Sequence, residues 1–121
     1  MKNFADYSQC EKLLEFLPIE TADMCYDGYA LDNYGENPPR LRKVDGELDT
    51  PCWSLAALLK VIPKHIGKFN FLRMDMGVDD FSLWYDEVCG VVNTELPDIE
   101  RKEPVDACVD FLVKLHELNI L

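Results

Sequence analysis

TPCWSLAALLKVIP, residues 50–63, decides the fold, because it predicts an apolar helix whose two ends are both specified. Thr50 can cap a helix N-terminus, and Pro51 suits the first helical position, where its missing N–H needs no partner. Four aliphatic residues then recur at the spacing i, i+3, i+4 and i+7: Leu55, Leu58, Leu59 and Ile62. This spacing places them on one face, and Pro63 stops the helix. We therefore expect a helix over residues 51–62 that packs against the core.

Two further stretches predict helices. Residues 8–16 begin with Ser8 and Glu11, which have the spacing of a capping box, and Pro18 follows. Residues 104–118 begin with a proline at the first helical position. The apolar face of this last helix is formed by Val105, Cys108, Val109, Leu112 and Leu115. We expect the helices over residues 51–62 and 104–118 to form the main layer above a sheet.

Residues 69–87 predict a β-hairpin. Apolar and polar side chains alternate in FNFLRMDM (69–76) and again in DFSLWYDE (80–87), with a turn between them. The second stretch also has apolar residues at helical spacing as far as Val92, but its aromatic content and the preceding turn favour a strand. Residues 22–26 add a possible short strand.

These elements together predict an α+β fold, in which a small antiparallel sheet is covered by helices over 8–16, 51–62 and 104–118. The chain of 121 residues has the size of a single domain. The residues expected beneath the helices are Leu72, Met74, Phe81, Leu83 and Tyr85.

Residues 27–49 are predicted to form a long irregular loop, because glycine, proline and asparagine punctuate them. Tyr26, Tyr29 and Tyr34 lie in or beside this loop, where they either form a contact surface or fold back over the core. Trp84 and Leu83 lie on opposite faces of the predicted strand. The face that carries Trp84 is either covered or exposed as a contact patch. The candidate protein-contact surface therefore consists of these three tyrosines and Trp84.

The net charge of −11 disfavours direct binding to nucleic acid, since phosphate neutralisation needs a basic surface. The charge is −6 over residues 1–49, −1 over 50–88 and −4 over 89–121. Such a surface keeps a small protein soluble, or it imitates a phosphate backbone and occupies a DNA-binding protein. The longest apolar run is shorter than the roughly 20 residues of a membrane helix. We expect a cytoplasmic protein without a membrane partner.

The sequence has no recognisable catalytic or metal-binding motif. Its five cysteines are widely spaced, so we expect reduced thiols and no zinc site. A phosphate-binding loop, a nucleophile elbow and a zinc-protease motif are all missing. Carboxylates gather around the hairpin without the spacing of a calcium loop: Asp75, Asp79, Asp80, Asp86 and Glu87. We predict no catalytic residue, no metal and no cofactor.

Four motifs span most of the chain: LPIETADMCY (17–26), TPCWSLAALLKVIP (50–63), DFSLWYDE (80–87) and EPVDACVDFLVKLHELNIL (103–121). In them the sequence resembles short proteins encoded by gut Bacteroidetes and their phages or mobile elements. The resemblance implies a small cytoplasmic accessory protein and carries over no functional residues.

Three functional hypotheses follow. The first is a non-enzymatic accessory or interaction protein of a phage-like element, which is suggested by a tyrosine-rich loop beside a chain without catalytic motifs. The second is an acidic inhibitor of a host nucleic-acid enzyme. The third is an enzyme with an unrecognised site.

Overall fold

The part of the chain described by a computed structural model, residues 2–26, 38–41, 49–88, 90 and 94–121, has the predicted α+β fold. Its helices are α1 (Tyr7–Leu14), α2 (Leu55–Val61) and α3 (Pro104–Glu117), with a 3-10 turn at Ile19–Thr21. Its strands are β1 (Met24–Tyr26), β2 (Arg40–Leu41), β3 (Thr50–Cys52), β4 (His65–Ile66), β5 (Asn70–Met76), β6 (Phe81–Glu87) and β7 (Ile99–Arg101).

These strands form two antiparallel sheets, with the orders β2-β1-β3 and β4-β5-β6-β7. The prediction of a short strand within residues 22–26 is confirmed by β1, which lies in the three-stranded sheet and not beside the hairpin. The predicted hairpin is confirmed by β5 and β6, which pair from Asn70 opposite Glu87 to Met76 opposite Phe81. The Gly77 N–H closes the turn by donating to the Asp80 carbonyl at 2.9 Å. The chain after β6 contributes a further strand, β7, whose Ile99 is buried.

The central stretch corrects the predicted start of α2. Thr50–Cys52 is a strand paired with β1, and the helix begins after Ser54, whose hydroxyl accepts the Ala57 N–H at 3.2 Å. The prediction that Pro51 opens the helix is therefore wrong. Long-range pairing is the reason: Trp53 follows β3, and its carbonyl accepts the Ala5 N–H at 2.9 Å. The strand β1 and Ala5 lie outside residues 50–63, so the residue pattern within that stretch could not indicate the pairing.

The first helix begins one residue earlier than predicted and uses a different cap. Asp6 Oδ1 accepts the Gln9 N–H at 2.8 Å, and Gln9 Oε1 accepts the Asp6 N–H at 3.0 Å. This reciprocal pair is a capping box, as predicted, but it is formed by Asp6 and Gln9. The assignment of the capping box to Ser8 and Glu11 is therefore wrong. The last helix begins at Pro104 as predicted and ends at Glu117.

The start of α3 is tied to the N-terminal segment by Lys2. Lys2 Nζ donates to Asp106 Oδ1 at 2.8 Å and to Asp6 Oδ2 at 3.2 Å, and the Lys2 backbone N–H donates to Glu103 Oε2 at 2.9 Å. Partial burial opposes ionisation of Asp106, but hydrogen bonds from Lys2 and Gln9 outweigh it and lower the pKa of that carboxyl. The contacts hold α1 beside α3.

One core joins β6 and the helices α2 and α3 to α1 and the three-stranded sheet. Phe81, Leu83 and Tyr85 are buried, as predicted. The Tyr85 ring centroid lies 5.4 Å from that of Phe111, and the Tyr85 hydroxyl donates to the Pro63 carbonyl at 2.7 Å. Burial raises the pKa of Tyr85 above its usual range. Leu72 is partly buried, whereas the expectation that Met74 lies beneath the helices is wrong, because its side chain is exposed.

Most of the predicted loop over residues 27–49 lies outside the described residues. Within it, Arg40–Leu41 forms β2, so the loop is not irregular throughout. Arg40 Nη2 lies 2.9 Å from Asp49 Oδ2, and this ion pair joins the two described parts of the region.

Candidate functional site

Tyr26 belongs to the core, which corrects its assignment to a contact surface. Its side chain is 4% exposed, and its hydroxyl donates to the Ala5 carbonyl at 2.8 Å. The ring meets that of Tyr7 edge to face, with centroids 5.7 Å apart. The reason is that β1 is the central strand of its sheet, with β2 and β3 on either side. Tyr29 and Tyr34 lie outside the described residues.

Trp84 lies on the face of the four-stranded sheet that is turned away from the helices. Alternation along β6 places it opposite in orientation to Leu83 and Tyr85, and its side chain is half-buried. Its indole N–H donates to Asp86 Oδ1 at 2.8 Å, and Arg73 Nε lies 3.4 Å from Asp86 Oδ2. Trp84 is therefore held in place and still partly open to solvent.

The largest group of exposed apolar side chains in the described residues follows β5 from end to end. We call it the β5 patch. Its members, with their exposed fractions, are Phe69 (65%), Phe71 (41%), Met74 (52%), Met76 (66%) and Val78 (101%). Exposed apolar side chains concentrated on one strand and its flanking turns indicate a candidate interaction site.

The β5 patch is exposed because the helix layer is narrower than the sheet. Met74 and Met76 lie directly opposite Leu83 and Phe81, so they share the face on which those two residues are buried. The helix α3 packs on β6 and β7, and the end of β5 beyond Leu72 extends past it. Strand alternation correctly predicts which face the methionines occupy, but it contains no information on how many strands a helix covers.

The outer edge of β5 is paired only at its beginning. β4 pairs with Asn70 and Phe71, and the Leu72 N–H donates to the Lys64 carbonyl at 2.8 Å. Backbone groups alternate in direction along an antiparallel strand, so Met74 and Met76 also direct their N–H and C=O groups outwards. Within the ranges that the structure describes, no strand lies beside these two residues.

The turn that follows β5 is acidic. A cleft of about 690 Å³ separates it from the start of α3. Its apolar lining comes from Met76, Val78, Phe81 and Pro104, and its charged lining from Asp79, Asp80, Lys102 and Glu103. Close by, the pKa of Glu100 is raised, first because its carboxyl shares a hydrogen bond with Asp80 and then because of repulsion from Asp80 and Asp98. Negative charge is thus crowded at this end of the sheet.

The thiols of the described residues lie in the interior of the protein. Cys10, Cys25, Cys52 and Cys108 are all free and buried. Hydrogen bonding to Cys10 and burial raise the pKa of Cys52, and burial raises the pKa of Cys108 to about 12. The Cys52 and Cys108 thiols are therefore protonated at neutral pH, and the thiolate is the reactive form. Cys89 lies outside the described residues.

The histidines and carboxylates of the described residues do not converge on a metal site. His65 Nδ1 lies 3.1 Å from the Gly67 carbonyl, and the His116 ring stacks on Phe16 at a centroid distance of 4.4 Å. No group of three or more metal-ligating side chains occurs in the ranges described. Nor does any helix in those ranges have the length and apolar character required to cross a bilayer.

The geometry therefore offers an interaction surface, formed by the β5 patch, its open edge and the adjoining face around Trp84. Trp84 stays a predicted contact residue, and the β5 patch was not predicted, although Val78, a valine in the turn between two strands, was a visible signal. The chain matches no protein-family model, no curated protein and no solved structure.

Proposed function

We propose that this protein is a non-enzymatic accessory protein that binds a partner protein through the β5 patch. The observation that carries the proposal is the concentration of five exposed apolar side chains on one strand and the turns on either side of it. Burial of apolar surface stabilises a complex by about 25 cal/mol per Å² before the costs of association. A partner that covers this strand therefore removes the most unfavourable surface of the described protein.

The positions of these side chains favour a binding surface over a sheet face that the helices merely leave uncovered. Phe71 lies on the open face of the sheet, because it pairs with Asp86, whereas Met74 and Met76 lie on the helix face. Apolar contacts are thus available on both sides of one strand. We extend the proposal to a cytoplasmic protein of a phage-like or mobile element on the sequence resemblance alone.

Site-specific photocrosslinking in the cells that encode the chain tests this function. A photoreactive benzoylphenylalanine replaces Val78 or Phe71 in the β5 patch, or Leu14 or Leu118 as matched controls. The controls are exposed apolar residues at the C-terminal ends of α1 and α3, and they lie outside the patch. We expect one discrete protein adduct from positions 78 and 71 and none from positions 14 and 118. Adducts from all four positions alike, or no adduct from either patch position, would refute the proposal.

A further inference from the structure

We propose that the occupant of the β5 patch is an extended, positively charged peptide segment, which adds as a strand to the outer edge of β5. The inference rests on the proposed function and specifies the chemistry of the partner. Addition of a strand to a sheet edge combines backbone hydrogen bonds with pockets for alternate side chains.

The outer backbone groups at the end of β5 lie beside no other strand in the described part of the chain, so they can pair with an added one. Met74 and Met76 each direct one N–H and one C=O outwards, so an antiparallel strand can form four hydrogen bonds with them. The existing bond from Leu72 to the Lys64 carbonyl shows that this edge accepts a partner in the same geometry. The edge also lacks two common protections, because β5 contains no proline and its last four residues carry no lysine.

Side-chain charge selects the partner. Met74 and Met76 face the helix side, whereas Asp75 between them faces the open side of the sheet. Among the described residues Asp75 has no cationic partner, since the nearby Arg73 pairs with Asp86. The acidic turn at Asp79 and Asp80 follows directly. A strand with apolar residues opposite the two methionines and a lysine or arginine opposite Asp75 complements both features.

The same charges argue against a second copy of the chain. A two-fold pairing that uses only the outward groups of Met74 and Met76 sets Asp75 directly opposite Asp75 of the second copy. Like charges in that position are destabilising. The shifted register that pairs Asp75 with Arg73 brings Met76 of the second copy beside Leu72, where Lys64 already lies. A basic segment meets neither obstacle.

Synthetic peptides provide the test, because strand addition makes each backbone position distinct. The probe is a fluorescent seven-residue peptide of alternating valine and lysine, titrated into the whole protein and followed by anisotropy. In the proposed register valines lie opposite the methionines and direct their N–H groups at β5. N-methylation of the valines should weaken binding by about tenfold or more, whereas N-methylation of the lysines should leave it nearly unchanged.

Variants complete the design. Replacement of the peptide's lysines by glutamates should weaken binding by about tenfold or more. In the protein, Asp75→Asn should weaken binding of the lysine peptide several-fold. Met74→Lys should also weaken it, while Val88→Ser, at an exposed position outside the patch, should not. Equal binding of both N-methylated peptides or of both charge forms would overturn the inference. The inference would also be overturned if the lysine peptide did not bind at concentrations below about 1 mM. Dimerisation of the protein that Met74→Lys abolishes would overturn it as well. Such results combined with adducts at position 78 leave the proposed function intact.

Discussion

Trp53→Ala is expected to lower the free energy of unfolding by about 3–5 kcal/mol, measured from urea denaturation followed by circular dichroism. Trp53 is the largest fully buried side chain, and its indole N–H donates to Thr21 Oγ1 at 2.9 Å. The variant therefore leaves a cavity in the core beside the 3-10 turn and removes a hydrogen bond. A domain is stable by only about 5–15 kcal/mol, so the loss is a large part of the total.

Trp84→Ala is the matched control, since the chain contains two tryptophans in opposite environments. Trp84 lies half-buried on the open sheet face, so its removal should cost about 1 kcal/mol. Trp53→Phe should fall between the two variants, because it retains a ring and loses the indole N–H. Equal losses for Trp53→Ala and Trp84→Ala would contradict the described core.

Leu58→Ala is expected to cost about 2–5 kcal/mol. Leu58 is fully buried on α2, the helix that packs against α3. Alanine and leucine are both good helix formers, so the cost measures lost packing and the cavity rather than lost helix propensity. The measurement is the shift in the urea midpoint at an unchanged slope.

Leu14→Ala controls for the chemistry of the substitution. Leu14 ends α1 with an exposed side chain, so the same change should stay within about 0.5 kcal/mol. A denaturation midpoint for Leu58→Ala that matches the unsubstituted protein would place α2 outside the core.

Elements with local signals could be predicted from the sequence. Pro104 at the first helical position and apolar residues at helical spacing identify α3, and alternation on both sides of a turn identifies β5 and β6. These signals lie within a single element, so the residues that form it also specify it.

Elements that depend on distant partners could not be predicted. Thr50–Cys52 becomes a strand because β1 lies beside it, and the partner of Trp53 is Ala5, far away in sequence. The capping box of α1 involves Asp6 rather than Ser8, and Asp6 also contacts Lys2. At the starts of α1 and α2 the sequence offers a second cap, and tertiary contacts favour Asp6 and Ser54.

The candidate surface likewise includes one residue that local sequence signals identify and others whose exposure depends on distant elements. Trp84 was found because alternation assigns it to the face opposite Leu83. Tyr26 was misassigned because its burial depends on strands on both sides of β1. The exposure of Met74 and Met76 depends on where α3 lies across the sheet, which no alternation within β5 can indicate.

Amide hydrogen exchange along β5 tests most directly whether its outer edge is open to a partner. Gly77 donates towards β6 and Leu72 towards β4, so odd-numbered residues of β5 face β6 and even-numbered ones face outwards. If the edge is open, the N–H groups of Arg73 and Asp75 exchange slowly and those of Met74 and Met76 exchange fast. Equal protection of all four amides would show that the edge is already covered and would refute strand addition at β5.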